Sequence, residues 1–145
     1  MIGYVTLGTN NYEAAAKFYD ELLGVIGASR FMESDRFIAW AVSPTQPSLG
    51  IIKPFDGQAA TVGNGTMVAL IVNSRDKVDA IHAKAVALGG KDEGPAGPRG
   101  DSGFYAGYFR DLDAAEEAYQ EACLRALKIR AAAASARGNT LSMTT

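Results

Sequence analysis

Two stretches of the chain decide its fold, and the second is a diverged copy of the first. The first is Tyr4–Gly27, YVTLGTNNYEAAAKFYDELLGVIG, and the second, which starts 63 positions later, is Met67–Gly90, MVALIVNSRDKVDAIHAKAVALGG. The two stretches align without a gap, and apolar positions fall opposite apolar positions, as Val5 does opposite Val68. Both copies end in glycine. We infer an internal repeat.

Each copy predicts a strand followed by a helix. The opening runs Tyr4–Thr9 and Met67–Val72 are short, β-prone and bounded by turn residues, which is typical of strands. A pattern that resembles a capping box then follows each strand, with an asparagine three positions before an acidic residue: Asn10 with Glu13, and Asn73 with Asp76. Apolar residues recur at helical spacing from there to the closing glycines, so we expect one amphipathic helix in each copy.

Further strand-like segments follow both helices. They are Ala28–Met32, Phe37–Val42 and Leu49–Lys53 in the first half, and Lys91–Glu93 and Phe104–Arg110, separated by a Gly/Pro-rich loop over Gly94–Ser102, in the second. The sequence therefore predicts an α+β fold of two βαβββ modules, over residues 1–53 and 66–113, joined by a linker over 54–65. Together these modules form a predicted domain over 1–113, with curled sheets of mixed strand direction around a cleft.

The tail over residues 114–145 departs from this repeat. It is rich in alanine, and its apolar residues recur at helical spacing, which predicts a helix from about Ala114 to Ala134 and a frayed polar end over 135–145. The strand that should complete the second module is then missing from its expected place. Either the tail helix or a partner chain would have to cover the sheet edge, since an exposed edge promotes aggregation.

Composition limits the classes of function. The 145 residues suit a single domain, and 14 basic residues against 16 acidic ones leave a formal charge of −2, which argues against nucleic acid as a partner. Apolar runs such as Met67–Val72 are far shorter than the ~20 residues of a membrane span. The single cysteine, Cys123, cannot form an internal disulfide, and the first residues show no leader pattern. We expect a soluble cytoplasmic protein without a membrane partner.

Three short motifs in the predicted order point to a known family. They are the first strand Tyr4–Asn10, the pair Phe18-Tyr19 before Leu22-Leu23-Gly24, and the turn Tyr108–Asp113. In sequence and spacing they resemble the vicinal oxygen chelate superfamily, which includes glyoxalases, bleomycin-resistance proteins and extradiol dioxygenases. The resemblance covers roughly residues 1–113. It implies paired modules that curl into incomplete barrels, whose concave face holds a metal ion or a small ligand.

The same resemblance predicts that this chain holds no metal. Metal-dependent members carry His, Gln or Glu ligands on the first and last strands of the modules, and those positions fall here on Tyr4, Met67 and Ile51–Lys53. After Asp113 the chain departs from the motif that carries the last ligand. Glu116, Glu117 and Glu121 are candidate metal ligands, but a solvated helix face is the simpler interpretation. The single histidine, His82, is a candidate acid–base group, but a half-buried helix residue is the simpler interpretation. No cofactor is predicted.

The predicted ligand site is an aromatic cleft. Alternate strand residues share a face, so if Tyr4 and Met67 point inward as their family counterparts do, Thr6, Gly8, Ala69 and Ile71 point inward with them. The same alternation groups Arg36, Ile38 and Trp40 in one hairpin, and Gly103, Tyr105 and Gly107 in the other. The cleft then has an aromatic wall (Tyr4, Trp40, Tyr105), a floor at Met67 and a cation at Arg36, which suits a flat molecule with an anionic group. The alternative is that these aromatic side chains only fill the core.

Two functional hypotheses follow, and a third stays open. The first is a metal-free member of the superfamily, a binding module or repurposed enzyme, that holds a small organic molecule in this cleft. The second is a metal-dependent lyase or dioxygenase of the glyoxalase type, and the third is a pure interaction protein. Whether the chain is an enzyme is left undecided by the residues. Because the family pairs modules within a chain or across a dimer, we also expect a homodimer, with the tail helix on a sheet edge or on the partner.

Overall fold

Two four-stranded sheets, each with one helix, make up the fold. The computed structural model describes residues 1–63, 65–101, 103–112 and 126–131. The elements are β1 (Tyr4–Gly8), α1 (Tyr12–Gly24), β2 (Ser29–Glu33), β3 (Phe37–Ala41), β4 (Ser48–Ile52), β5 (Met67–Val72), α2 (Arg75–Ala87), β6 (Lys91–Pro98), β7 (Tyr105–Arg110) and β8 (Ala126–Ala131). The strand orders are β1-β4-β3-β2 and β5-β8-β7-β6, with the first pair in each sheet parallel and the others antiparallel. The two halves therefore share one topology, and the predicted α+β repeat of βαβββ modules is confirmed.

The second module is completed by β8, which lies inside the tail predicted as a helix. Ala126–Ala131 pairs parallel with β5 and antiparallel with β7. The predicted helix is therefore wrong over these 6 residues. In sequence, apolar residues alternate there with Lys128 and Arg130, a period-2 pattern, and the neighbouring edges of β5 and β7 supply backbone partners that outweigh the helix propensity of alanine. The rest of the predicted tail, including Glu116, Glu117, Glu121 and Cys123, lies outside the described residues.

Strand β6 is longer than predicted. It runs through Pro98, although the sequence favoured a loop from Gly94 onward. Register shifts between Asp92 and Gly94, and between Gly94 and Gly97, absorb the glycines as bulges. Because β6 lies at the edge of its sheet, a proline that lacks an N–H group does not interrupt the ladder.

Both helices are capped one residue later than the sequence predicts. The Asn11 side chain accepts a hydrogen bond from the backbone N–H of Ala14, and the Ser74 hydroxyl accepts one from Lys77. Asn10, the predicted cap of α1, instead holds the connector between the modules, residues 54–65: its amide donates to the Ala60 carbonyl (2.9 Å) and accepts from the Ala60 N–H (2.7 Å). Serine and asparagine serve equally well as caps, so the sequence alone could not rank the neighbouring positions.

One apolar core joins both modules. Each helix covers one face of its own sheet, and the two helices also contact each other. Buried apolar residues from both halves form a single cluster, whose largest members are Trp40, Tyr19, Phe18, Phe109, Leu22, Ile38, Ile51, Ile81 and Val78. Polar contacts between described residues also cross between the modules: the Tyr19 hydroxyl donates to Asp111 Oδ2 (2.6 Å), and Lys84 Nζ lies 2.6 Å from Glu21 Oε2. The modules therefore form one packed unit.

No helix among the described residues is long and apolar enough to cross a membrane. The cytoplasmic location inferred from the sequence stays a prediction.

The buried link between Tyr19 and Asp111 gives the first testable prediction. Tyr19 is 1% exposed and Asp111 3%, so their hydrogen bond is shielded from water. We expect Tyr19→Phe to lower the free energy of unfolding by about 1.5–3 kcal/mol, the usual contribution of a hydrogen bond to a charged group. Urea unfolding followed by circular dichroism measures this change.

The matched control for this change is Tyr12→Phe. The Tyr12 hydroxyl donates to the Ser34 carbonyl (2.8 Å) at the surface, so its loss should cost about 1 kcal/mol or less. Equal losses of stability in the two variants would contradict a special role for the buried contact.

Candidate functional site

Each sheet has an open face, the one that its helix does not cover. Along β1 and β5 exposure alternates as predicted: Val5, Leu7, Val68 and Leu70 lie in the core or pack against it. The intervening side chains are solvent-exposed, and the large ones among them are Tyr4 (67% exposed), Met67 (47%) and Ile71 (70%). The predicted facing of these two strands is therefore confirmed. It leaves aromatic and apolar side chains uncovered by the chain itself.

Trp40 lies on the opposite face from Tyr4, so the prediction that the two share a wall is wrong. Trp40 pairs with Leu49, which in turn pairs with Val5, and residues paired in this way point to the same side of a sheet. The Trp40 ring is 2% exposed and sits beneath α1, where its indole N–H donates to Asp20 Oδ1 (2.8 Å). A one-residue error in strand alternation produces this reversal.

The aromatic residue of β3 on the open face is Phe37. It pairs with Ile52, which pairs with Gly8, and its ring lies directly over Gly50, where an added Cβ would stand 2.7 Å from the ring.

Beneath the other face, Arg30 donates two hydrogen bonds to Asp20 and lies over the Trp40 ring. The Arg30 hydrogen bond is the main reason that the pKa of Asp20 lies below its ordinary value.

Tyr105 also lies on the helix-covered face, contrary to the prediction. Its hydroxyl donates to Asp79 Oδ1 of α2 (2.7 Å), a bond that raises the pKa of Tyr105, and the Arg75 guanidinium lies 5.3 Å from its ring centre. Tyr108, three residues later, has the opposite parity and lies on the open face. The Arg99 guanidinium stands 5.4 Å from the centre of its ring.

His82 has a packing role in α2. It is 8% exposed, and its ring packs so closely on β7 that a Cβ on Gly107 would lie 2.9 Å from His82 Cδ2. Its Nε2 atom lies 3.1 Å from Asp92 Oδ1 and 3.2 Å from the Tyr108 carbonyl oxygen. Within the described ranges, no group of three or more His, Cys, Asp or Glu residues is arranged to hold a metal ion.

Arg36 stands apart from the open faces, in a cleft that the sequence did not reveal. This connector cleft lies where β1 and β4 end, with the connector over it, and it has a volume of about 600 Å³ and opens to solvent. Its lining residues are Thr9, Asn10, Arg36, Lys53, Pro54, Phe55, Asp56, Gly57, Gln58 and Ala59. The cleft depends on a long-range contact, the Asn10–Ala60 pair, which no local pattern announces.

Comparison with known proteins agrees with the family resemblance of the sequence motifs. Residues 1–115 match the family model of the Glyoxalase/Bleomycin resistance protein/Dioxygenase superfamily. A glyoxalase/bleomycin resistance protein from Albidiferax ferrireducens T118 is 32% identical, with 91% of this chain and 98% of that one covered and a TM-score of 0.76. No curated protein matches the chain.

More distant solved structures share the fold. A glyoxalase-related enzyme from Fulvimarina pelagi is 22% identical, with 91% of this chain and 88% of that one covered and a TM-score of 0.67. A lactoylglutathione lyase from Agrobacterium tumefaciens is 16% identical, with 90% and 92% covered and a TM-score of 0.63. At these identities the likeness concerns the fold alone.

The placement of Trp40 gives the second prediction. It is the single tryptophan of the chain, so intrinsic fluorescence excited at the indole band reports on it alone. Because the ring is buried beneath α1, we expect a blue-shifted emission and little quenching by iodide in the native protein, and ready quenching in urea. Strong native quenching would place Trp40 in a solvent-filled cleft and contradict the structure.

Proposed function

The chain belongs to the Glyoxalase/Bleomycin resistance protein/Dioxygenase superfamily, and from this premise we propose that it binds a small organic molecule on its open sheet faces without a metal ion. The observation that carries the proposal is the set of exposed side chains at alternate positions of β1 and β5. Tyr4, Met67 and Ile71 are a phenol, a thioether and an aliphatic chain. They offer stacking and apolar contact to a flat ligand.

The positions of Tyr4 and Met67 support a metal-free site. Each is the first residue of its module's first strand, where the family resemblance implies a metal ligand in metal-dependent members. A tyrosine and a methionine are poor partners for the hard divalent ions that oxygen and imidazole groups hold. At the end of the first module, Ile51 is an apolar side chain buried in the core and the Lys53 ammonium lies 4.8 Å from the Tyr12 ring centre, which supports the proposal of a metal-free site.

Ligand and partner can share the open faces. An exposed row of large apolar side chains costs free energy in water, and such patches usually mark a binding surface. We propose that two copies of the chain pair through their open faces, and that the ligand is enclosed between them. In this arrangement the homodimer predicted from the sequence needs no contribution from the predicted tail helix.

The ligand site is tested with a neutral aromatic probe. We expect N-phenyl-1-naphthylamine to gain fluorescence on binding the wild-type protein, and Tyr4→Ala and Met67→Ala to weaken binding at least about fivefold, or about 1 kcal/mol, because each removes a contact surface. Val86→Ala is the matched control, since Val86 is an exposed apolar residue (41%) of α2, away from the open faces. Equal affinities in all four proteins would contradict the site.

The same preparation distinguishes the alternative, a metal-dependent lyase or dioxygenase. We expect probe binding to survive dialysis against a chelator, and elemental analysis to find less than one divalent ion per chain. One tightly held ion per chain, together with isomerisation of a glutathione hemithioacetal that the chelator abolishes, would replace the metal-free proposal by the alternative.

Assembly gives a separate prediction. We expect light scattering to report a dimer for the wild type and a monomer for Ile71→Arg, because a buried unpaired guanidinium is costly at an apolar interface. Val86→Arg places the same charge on an exposed site of α2 and should remain a dimer. A monomeric wild-type protein at micromolar concentration would contradict the pairing.

A further inference from the structure

The connector cleft is a second candidate binding site, and it is lined by charged side chains, unlike the open faces. Arg36 and Lys53 flank β3 and β4, and the Lys53 ammonium lies against Tyr12, the first residue of α1. We propose that this cleft binds a small organic anion, a carboxylate or a phosphate ester, that carries a flat ring.

The anionic group is recognised by two cationic residues that line the cleft, Arg36 and Lys53. None of the ion pairs between described residues involves Arg36 or Lys53. The Arg36 guanidinium is already oriented, because its Nη2 atom donates to the backbone carbonyls of Pro54 (3.1 Å) and Lys53 (3.4 Å). A guanidinium carries five N–H donors and an ammonium three, so both groups keep donors for a ligand.

The ring is recognised by Phe55 at the lip of the cleft. Phe55 is 91% exposed, which is unusual for so large an apolar side chain and contributes nothing to the core. The Arg36 guanidinium lies 5.8 Å from the centre of its ring, so one side of the ring is anchored by a cation–π contact. A second flat ring can stack on the exposed surface of Phe55 while its anionic group reaches Arg36.

The cleft has a defined shape before any ligand arrives. The paired hydrogen bonds between Asn10 and Ala60 fix the middle of the connector, and Asp56 Oδ1 accepts a hydrogen bond from the Gln58 N–H (3.0 Å), which stabilises the turn that carries Phe55. A volume of about 600 Å³ lies within the roughly 300–1,000 Å³ of small-molecule sites. Preorganisation of this kind lowers the entropic cost of binding.

The local charge favours an anion although the chain as a whole carries −2. Two cations line the cleft against one carboxylate, that of Asp56. Because the cleft is open, salt screens these charges, and binding should weaken as ionic strength rises. The Asp56 carboxylate opposes binding, so its removal should strengthen it.

Calorimetric titration of the 145-residue chain tests the proposal with four probes: benzoate, phenyl phosphate, inorganic phosphate and benzyl alcohol. We expect at least one of the two ring-bearing anions to bind at millimolar concentration or below, and benzyl alcohol, which is neutral, to bind at least about tenfold more weakly. The stronger of benzoate and phenyl phosphate identifies the anionic group that the cleft prefers. Failure of both anions to bind at millimolar concentration overturns the proposal.

Variants of exposed residues locate the site. Lys53→Gln and Arg36→Gln should each weaken anion binding about tenfold, whereas Asp56→Asn should strengthen it. Phe55→Ala should weaken phenyl phosphate more than inorganic phosphate, because only the former stacks. Lys17→Gln, which removes one exposed charge of α1 outside the cleft, is the matched control. If Lys53→Gln and Arg36→Gln bind as tightly as Lys17→Gln, the assignment is overturned.

Amide chemical shifts separate this proposal from the one for the open faces. Phenyl phosphate or benzoate should move the amide signals of Phe55 and Gln58, and the neutral naphthylamine should move those of β1 and β5. Anion-induced shifts confined to β1 and β5 would overturn the cleft and leave the open-face proposal standing.

Discussion

One helix can cover only one face of a four-stranded sheet, and this limit shapes the whole molecule. Because α1 and α2 each pack on their own sheet and on each other, apolar side chains from both halves meet in a single core around Phe18, Tyr19 and Phe109. Side chains on the sheet faces that the helices do not cover stay outside this core. The open faces are therefore a direct product of the packing, and the binding surface proposed there requires no special feature in the loops.

Alternation of side chains could be predicted for some strands and not for others. In β1 and β5 the family resemblance places Tyr4 and Met67 inward, which sets the alternation, and the predicted facing is correct. In β3 the sequence FIAWA is apolar throughout, so nothing in it distinguishes the two faces, and Trp40 is assigned to the wrong one. The register that decides the matter comes from pairing with β4, a contact between segments separated in sequence. Tyr105 is likewise assigned to the wrong face, because the register of β7 is set by its pairing with β6 and β8.

Contacts distant in sequence also decide the other differences between prediction and structure. The repeat, the helices and most strand positions follow from patterns within short windows, so the sequence predicts them. The strand identity of β8 depends on the edges of β5 and β7, which lie well before it in the chain. The connector cleft depends on Asn10 and Ala60, 50 positions apart. Local propensity carries no information on such pairs, so neither feature was visible before the fold was known.

The contact between Asn10 and Ala60 also bears on how two copies of a duplicated module can exchange. Proteins with repeated halves and a flexible link are prone to domain swapping, in which one half docks onto the other half of a second molecule. Here two hydrogen bonds return the link to the module that it has just left, so its path toward the second module starts from a fixed point on the same chain. The second module is thereby held near the first module of its own chain at a high effective concentration. Docking within one chain is therefore favoured over exchange of modules between two chains.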